Sequence, residues 1–134
     1  MYLAMLNEKE KEIFLEVAFG LVMVDGDYSE AEKAVINGYC QEMQCGFDEK
    51  LMVKPMDELI KDIKLNSNNR IKKIFVFELI GLAMVDGKYH EDERAIINKL
   101  EVEFDIAPGF VKDCEDALNE YITFQTKLHQ LILG

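Results

Sequence analysis

Four acidic side chains stand at matching places in two copies of one short motif. Asp25 and Glu32 belong to the segment DGDYSEAE, and Asp86 and Glu93 belong to the segment DGKYHEDE, 61 residues further on. Carboxylate oxygens are the ligands that Ca²⁺, Mg²⁺ and Mn²⁺ prefer in proteins. If the two segments meet, the four carboxylates repel one another, and a bound divalent cation relieves that repulsion. The spacing therefore predicts a metal site between the two copies.

The two segments match only part of the EF-hand calcium loop. The aspartate, the glycine after it and the glutamate fit loop positions 5, 6 and 12. Loop positions 1 and 3 would be Leu21 and Met23 in the first copy, and Leu82 and Met84 in the second, and these side chains offer no oxygen ligand. An independent EF-hand is therefore excluded in either copy.

The same acidic residues also have a purely structural interpretation. Asp25 and Asp86 can accept hydrogen bonds from backbone N–H groups within a turn. Glu32 and Glu93 can reach back to the backbone at the start of a helix, as the glutamate of a capping box does. Both interpretations stay open on the sequence alone.

Both motifs lie inside a longer internal repeat. Residues 20–37 and 81–98 are identical at 12 of 18 positions. Two copies indicate a pseudo-symmetric pair inside one domain, because a solenoid needs three or more. Repeat 1 covers about residues 13–45, and repeat 2 covers about residues 74–105. Gly20 and Gly81 lie at equivalent places inside predicted helices, where they predict close helix crossings.

Each repeat is predicted to form a helix, a tight turn and a second helix. Apolar residues recur at helical spacing before each Asp-Gly pair, and glycine readily takes the left-handed conformation that ends a helix. In the first copy Ser29 precedes Glu32 by three residues, the spacing of a capping box. In the second copy His90 replaces the serine, so that cap is expected to be weaker.

The remaining segments also predict helices, so the fold class is all-α. Further helices are expected at about 48–53, after Pro55 and after Pro108, with 66–69 as a linker. No stretch shows the strict alternation of a β-strand. The expected architecture is a single compact domain over residues 1–134, with about seven helices.

Composition and charge exclude several classes of function. The chain has 26 Asp and Glu against 15 Lys and Arg, a net charge of −11, which opposes binding to nucleic acid and to anionic lipid. Cations or a protein partner with a basic surface are easier to accommodate. The longest nearly apolar run, 74–85, is too short to insert across a membrane. Three cysteines without metal-type spacing and no visible secretory signal predict a cytoplasmic location.

The stretches MVDGDYSEAE (23–32) and MVDGKYHEDE (84–93) resemble the family of tellurite-resistance TerB-like domains. The resemblance extends to the duplicated layout and to most of the chain length. It implies an all-helical intracellular domain whose repeated acidic residues bind metal, with a role in a stress-response or membrane-associated assembly. His90 departs from the small hydroxyl residue that is usual in the family at that place.

Three functional hypotheses follow. The first is a non-enzymatic TerB-like module that holds Ca²⁺, Mg²⁺ or Mn²⁺ through Asp25, Glu32, Asp86 and Glu93. The second is a protein-interaction domain whose acidic face docks a basic partner, with purely structural turns. The third is a metal-dependent hydrolase that uses the same carboxylates around bound water. The sequence carries no hydrolase, kinase or dinucleotide motif, which favours the non-enzymatic hypotheses.

Overall fold

The computed structural model describes residues 1–24, 26, 28–46, 54–85, 87 and 89–134. These residues form a single compact domain of six α-helices and one 3₁₀ turn, with no β-strand among them, so the predicted all-α class is confirmed for this part of the chain. In chain order the elements are the 3₁₀ turn Leu3–Met5, α1 (Glu8–Val22), α2 (Glu30–Met43), α3 (Met56–Asn66), α4 (Asn69–Met84), α5 (Glu91–Glu103) and α6 (Phe110–Leu133). The seventh predicted helix, at 48–53, lies outside the described residues.

Side-chain caps explain where three of these helices begin. Asn7 and Glu10 form a capping box at α1: Asn7 Oδ1 accepts from the Glu10 N–H at 2.8 Å, and Glu10 Oε1 accepts from the Asn7 N–H at 2.9 Å. Ser29 and Glu32 form the same arrangement at α2. Asn68 caps α4 from within the predicted linker. Because Asn7 caps α1, this helix begins at Glu8, before the start of repeat 1 at about residue 13.

Helix α3 runs antiparallel to α1. The Ser67 hydroxyl, just after α3, donates to Glu10 Oε2 at 2.6 Å, which places the end of α3 beside the start of α1. At the other end, a Cβ atom built on Gly20 would come within 2.6 Å of Met56 Cε, so the start of α3 lies against the end of α1. The space beside Gly20 is filled by the end of the Met56 side chain, and the helix crossing predicted there stays a prediction.

Helices α1 and α4, the first helices of the two repeats, run in the same direction. Lys99 Nζ contacts Asp57 Oδ1 at 2.8 Å and Lys64 Nζ contacts Glu103 Oε2 at 3.6 Å, so α5 is parallel to α3. Helices α4 and α5 are joined by a short connection, and helices joined in this way are commonly antiparallel neighbours. The contacts of Glu10 with Ser67, just before α4, and of Phe14 with Phe75 also place the start of α4 beside the start of α1. Since α3 is antiparallel to α1, α4 and α1 must be parallel. The two Asp-Gly turns that follow them lie at one end of the domain, which is called the turn end below.

Equivalent residues of the two repeats meet at the centre of the core. Phe14 of α1 and Phe75 of α4 pack edge to face, with ring centroids 5.3 Å apart and an interplanar angle of 86°. Tyr39 also packs against Phe14, with ring centroids 5.3 Å apart, and its hydroxyl donates to the carbonyl oxygen of Glu78 at 2.8 Å. This contact also holds α2 against α4. The other large side chains that are fully buried are Leu3, Leu21, Ile36, Met43, Ile63, Leu79, Ile80, Leu82, Ile97 and Leu100.

Helix α6 packs on the body only through its first half. It runs antiparallel to α5, because the Val111 N–H donates to Glu101 Oε2 at 2.8 Å and Arg94 Nη1 donates to Glu115 Oε2 at 2.7 Å. From residue 119 onward every residue is exposed. The second half of this 24-residue helix therefore extends past the turn end. None of the helices in the described part of the chain combines the length and apolar character needed to cross a bilayer.

Candidate functional site

The glycines of the two Asp-Gly pairs have the same backbone geometry. Gly26 and Gly87 take left-handed conformations with φ of 77° and 76°. The Gly26 N–H donates to the carbonyl oxygen of Met23 at 3.1 Å, and the Gly87 N–H donates to that of Met84 at 3.2 Å. Residues with a side chain rarely adopt this φ, so the repeated glycine is required by the turn itself. Asp25 and Asp86, the aspartates of the predicted metal site, lie outside the described residues.

Glu32 and Glu93 are buried at the starts of α2 and α5, with 3% and 1% of their surface exposed. Glu32 Oε1 accepts from the Ser29 N–H at 2.9 Å and Ser29 Oγ accepts from the Glu32 N–H at 3.1 Å, which confirms the predicted capping box. Glu93 Oε1 accepts from the His90 N–H at a longer distance, 3.3 Å. Both glutamates therefore have the structural role that the sequence offered as an alternative to metal binding.

The capping role of Glu32 and Glu93 is compatible with cation binding by the same side chains. An ionised carboxylate has about four lone-pair sites, so a glutamate that accepts one backbone hydrogen bond can still coordinate a cation. In the described part of the chain, no three His, Cys, Asp or Glu side chains are grouped closely enough to hold a metal ion. Glu32 and Glu93 are the two members of the predicted set of four that belong to this part.

The turn end carries dense negative charge. Residues 25–32 and 86–93 together contain eight carboxylates and one lysine. The first turns of α2 and α5 also lie here. The partial positive charge of their N–H groups offsets a part of the negative charge. The parallel course of α1 and α4 brings both acidic segments to this end. Such a surface attracts a small cation or a basic protein segment.

The tyrosines of the two turns have different partners. Tyr28 packs edge to face on Phe19 with ring centroids 5.6 Å apart. Tyr89 lies under the guanidinium of Arg94, 4.1 Å from the ring centroid, and Arg94 also binds Glu115 of α6. Burial and the nearby charge of Glu115 raise the pKa of Tyr89. The second turn is thus tied to α6, a link that sequence reasoning missed because nothing local connects residues 94 and 115.

An apolar cavity of about 820 Å³ lies beside the second turn. Its wall includes Val35 of α2, Met84 and Val85 at the end of α4, and Leu118 and Ile122 of α6. It therefore opens at the point where α6 leaves the body.

The carboxylate of Glu78 lies on the wall of this cavity. Its Oε1 atom accepts from the α-amino group of Met1 at 2.9 Å and from the Tyr2 N–H at 2.8 Å. Glu42 receives the other hydrogen bonds of this segment, from the Met1 amine at 3.2 Å and from the Leu3 N–H at 2.9 Å. These bonds satisfy a carboxylate that is only 5% exposed, and they give Glu78 a structural role.

Gly81 faces open space, so the close helix crossing predicted there is wrong. No described atom lies within 4 Å of a Cβ built on Gly81, whereas Met56 fills the equivalent space at Gly20. We expect Gly81→Ala to stabilise the protein by about 1 kcal/mol, because alanine is the better helix former and meets no neighbour. Gly20→Ala must displace Met56 and should gain less or destabilise. Urea unfolding of both variants checks this, and equal effects would contradict the difference in packing.

The three cysteines are free thiols. Burial raises the pKa of Cys114 to about 11 and raises the pKa values of Cys40 and Cys45. A raised pKa disfavours the thiolate, which is the nucleophilic form of cysteine. The oxygen-rich turn end, and not the thiols, is the candidate functional site.

Comparison of the chain with protein-family models, with curated proteins and with solved structures finds no match to any of them. What the chain binds is therefore inferred from its own residues and their geometry.

Proposed function

We propose that this chain is a non-enzymatic helical binding module, similar to the TerB-like domains, that takes a divalent cation between its two Asp-Gly turns. The observation that supports this proposal is the parallel course of α1 and α4, derived from the ion pairs of α3 with α5 and the contacts of α3 with α1. Antiparallel helices would have placed the two turns at opposite ends of the domain. Parallel helices give the acidic segments a common end.

We further propose that the two repeats are related by pseudo-twofold symmetry. Phe14 and Phe75 are equivalent residues and contact each other, as residues next to a symmetry axis must. Gly26 and Gly87 share their φ values within one degree, so these two equivalent glycines have the same conformation. Such symmetry would supply one aspartate and one glutamate from each side of the cation.

The donor set fits a hard cation. Asp25, Glu32, Asp86 and Glu93 would hold it, and all four offer carboxylate oxygen. Oxygen ligands favour Ca²⁺, Mg²⁺ and Mn²⁺, whereas Zn²⁺ is commonly bound through nitrogen and sulfur. Bound between the turns, the ion would neutralise charge at the turn end and hold the starts of α2 and α5 in place.

A second candidate function is a docking site for a basic protein partner. The eight carboxylates of the two turn segments favour it, because their negative charge would attract a basic protein surface whether or not a cation binds. A role in a cytoplasmic stress-response or membrane-associated assembly is compatible with both functions. A metal-dependent hydrolase that uses the same carboxylates is the third candidate, and it requires turnover of phosphodiester or ester substrates by the metal-loaded protein.

The experiment is a thermal melt of EDTA-treated protein titrated with Ca²⁺, Mg²⁺, Mn²⁺ and Zn²⁺. Binding to the folded state alone raises the stability with the logarithm of the cation concentration above the dissociation constant. We expect a saturable rise of the melting temperature with one of the first three cations. The double variant Asp25→Asn/Asp86→Asn should lose that rise and keep the melting temperature of the metal-free parent.

A matched control distinguishes the loss of the cation site from a general effect of removing two negative charges. Asp113→Asn/Asp116→Asn removes the same two charges from exposed positions on the packed half of α6, outside the two turn segments. This control should keep the full response to the cation. A flat response of the parent to all four cations would overturn metal binding, and salt-sensitive capture of a basic protein would then favour the second candidate.

A further inference from the structure

The projecting half of α6 carries an apolar face that no described part of the chain covers. Seven large apolar side chains between residues 121 and 133 are 44–80% exposed. They are Tyr121, Ile122, Phe124, Leu128, Leu131, Ile132 and Leu133. This set is called the projecting face below. Monomeric proteins rarely expose a contiguous apolar patch of this extent unless it binds something.

The spacing along the projecting face is that of a helix that pairs with another helix. Tyr121, Gln125, Leu128 and Ile132 follow one another at intervals of four, three and four residues. Leu118, buried at the edge of the body, continues the same pattern on the N-terminal side. This is the 3.5-residue average of a coiled-coil seam. The seam has about three turns outside the body, and a second helix of the same kind would cover it.

Charge selects a second copy of the chain as the occupant. The net charge is −11, yet residues 121–133 contain Lys127 and no acidic residue. Two copies can therefore bring these segments together without the repulsion that the rest of their surfaces would produce. The segment also lacks the cluster of basic residues that anchors a helix to an anionic membrane surface.

We propose that two copies of this chain pair through their projecting faces in antiparallel orientation. In an antiparallel pair, each a position of the heptad meets a d position of the partner helix. Tyr121 and Leu128 are d positions, and Gln125 and Ile132 are a positions. Tyr121 of one copy therefore lies against Ile132 of the other, and Leu128 lies against Gln125. Phe124 and Leu131 face each other along one flank. The arrangement is isologous, so both projecting faces are covered at once and the assembly closes as a dimer.

The orientation follows from the positions of the acidic bodies. The projecting part spans about 22 Å at 1.5 Å per residue. A parallel pair would set both turn ends side by side, whereas an antiparallel pair keeps them apart by roughly this length. It also brings Ile132 and Leu133 of each copy to Leu118 and Ile122 of the other, at the mouth of the apolar cavity. The cavity and the projecting face are thus parts of one surface.

The available area is sufficient for a stable dimer. At about 150–200 Å² for a fully exposed side chain of this size, the seven residues offer roughly 600–800 Å² per copy. Specific interfaces bury about 800 Å² per partner, so the estimate reaches the lower part of the range for stable complexes. The apolar wall of the cavity adds to it.

The test is the molar mass of the full chain by sedimentation equilibrium, from low micromolar to several hundred micromolar. We expect twice the monomer mass of 15.4 kDa at the upper concentrations. Leu128→Glu/Ile132→Glu places charge on the projecting face and should give a monomer at all concentrations. Because both positions are exposed, its circular dichroism should equal that of the parent.

The matched control is Thr123→Glu/Gln130→Glu, which adds the same charge on the opposite side of the same helix and should remain dimeric. Orientation is tested by mixing Tyr121→Cys protein with Ile132→Cys protein under mild oxidation, with the parent as the background. An antiparallel dimer gives the mixed disulfide, whereas a parallel one gives like pairs. A monomeric parent, a dimer that survives Leu128→Glu/Ile132→Glu, or binding to neutral lipid vesicles in place of self-association would each overturn the proposal.

Discussion

Phe14→Ala should lower the free energy of unfolding by about 4 kcal/mol, within the range measured for phenylalanine truncations in cores. The ring is fully buried and contacts the rings of Phe75 and Tyr39. Its removal leaves a cavity where α1, α2 and α4 meet, and rigid helices cannot collapse into it. Urea unfolding followed by circular dichroism at 222 nm measures the change.

Phe75→Ala should lower the free energy of unfolding by a similar amount. The double variant should lose less free energy of unfolding than the sum of the two single variants. The difference is the coupling energy of the ring pair, for which we expect about 1 kcal/mol. Phe124→Ala is the matched control, because this ring is 59% exposed on α6; measured at low protein concentration, it should change stability by less than about 0.5 kcal/mol. Equal losses in Phe14→Ala and Phe124→Ala would show that the rings do not meet at the centre of the core.

Arg94→Met should destabilise the protein by about 2–3 kcal/mol, because it removes a charge-assisted hydrogen bond and leaves a carboxylate without its cation. The Glu115 side chain is 11% exposed and binds Arg94 at 2.7 Å. The methionine retains the apolar contact with the Tyr89 ring, so the loss reports mainly on the ion pair. Guanidinium would screen the charges, so urea unfolding at low salt is the appropriate measurement.

A second ion pair of the same length serves as the control. Lys112 and Asp116 are also 2.7 Å apart, but their side chains are 71% and 53% exposed. Lys112→Met should therefore change stability by less than about 0.5 kcal/mol. Adding Glu115→Gln to Arg94→Met should restore a part of the loss, because the amide needs no countercharge. If that double variant recovers no stability, the loss in Arg94→Met comes from the packing of Arg94 on Tyr89 and not from the ion pair.

Local features of this fold could be predicted from the sequence. The left-handed glycines Gly26 and Gly87 shortly after α1 and α4, the capping box of Ser29 with Glu32, and the all-α class depend on residues a few positions apart. Position-specific chemistry explains them without any tertiary information. Pro108 was expected to open the last helix, but Gly109, with φ of 96°, stands at the cap and α6 begins at Phe110. The prediction differed from the structure there by a few residues.

Features that depend on distant contacts could not be predicted. The parallel course of α1 and α4 follows from ion pairs such as Lys99 with Asp57, and helical periodicity carries no signal for them. The apolar residues of α6 predicted a helix with a core-facing side, yet from residue 119 onward that side has no body to pack on. Hydrophobic spacing shows which side of a helix is covered, but not whether the same molecule covers it.

The pairing of Phe14 with Phe75 has a consequence for the speed and order of folding. Helices form in about a microsecond, but this contact joins residues 61 positions apart and must close a long loop first. We therefore expect the meeting of the two repeats, and not the formation of helices, to limit the folding rate. A half-chain that contains one repeat would present one of the two rings to water. We therefore expect the duplicated segments to fold as one cooperative unit, because each supplies one ring of the shared core.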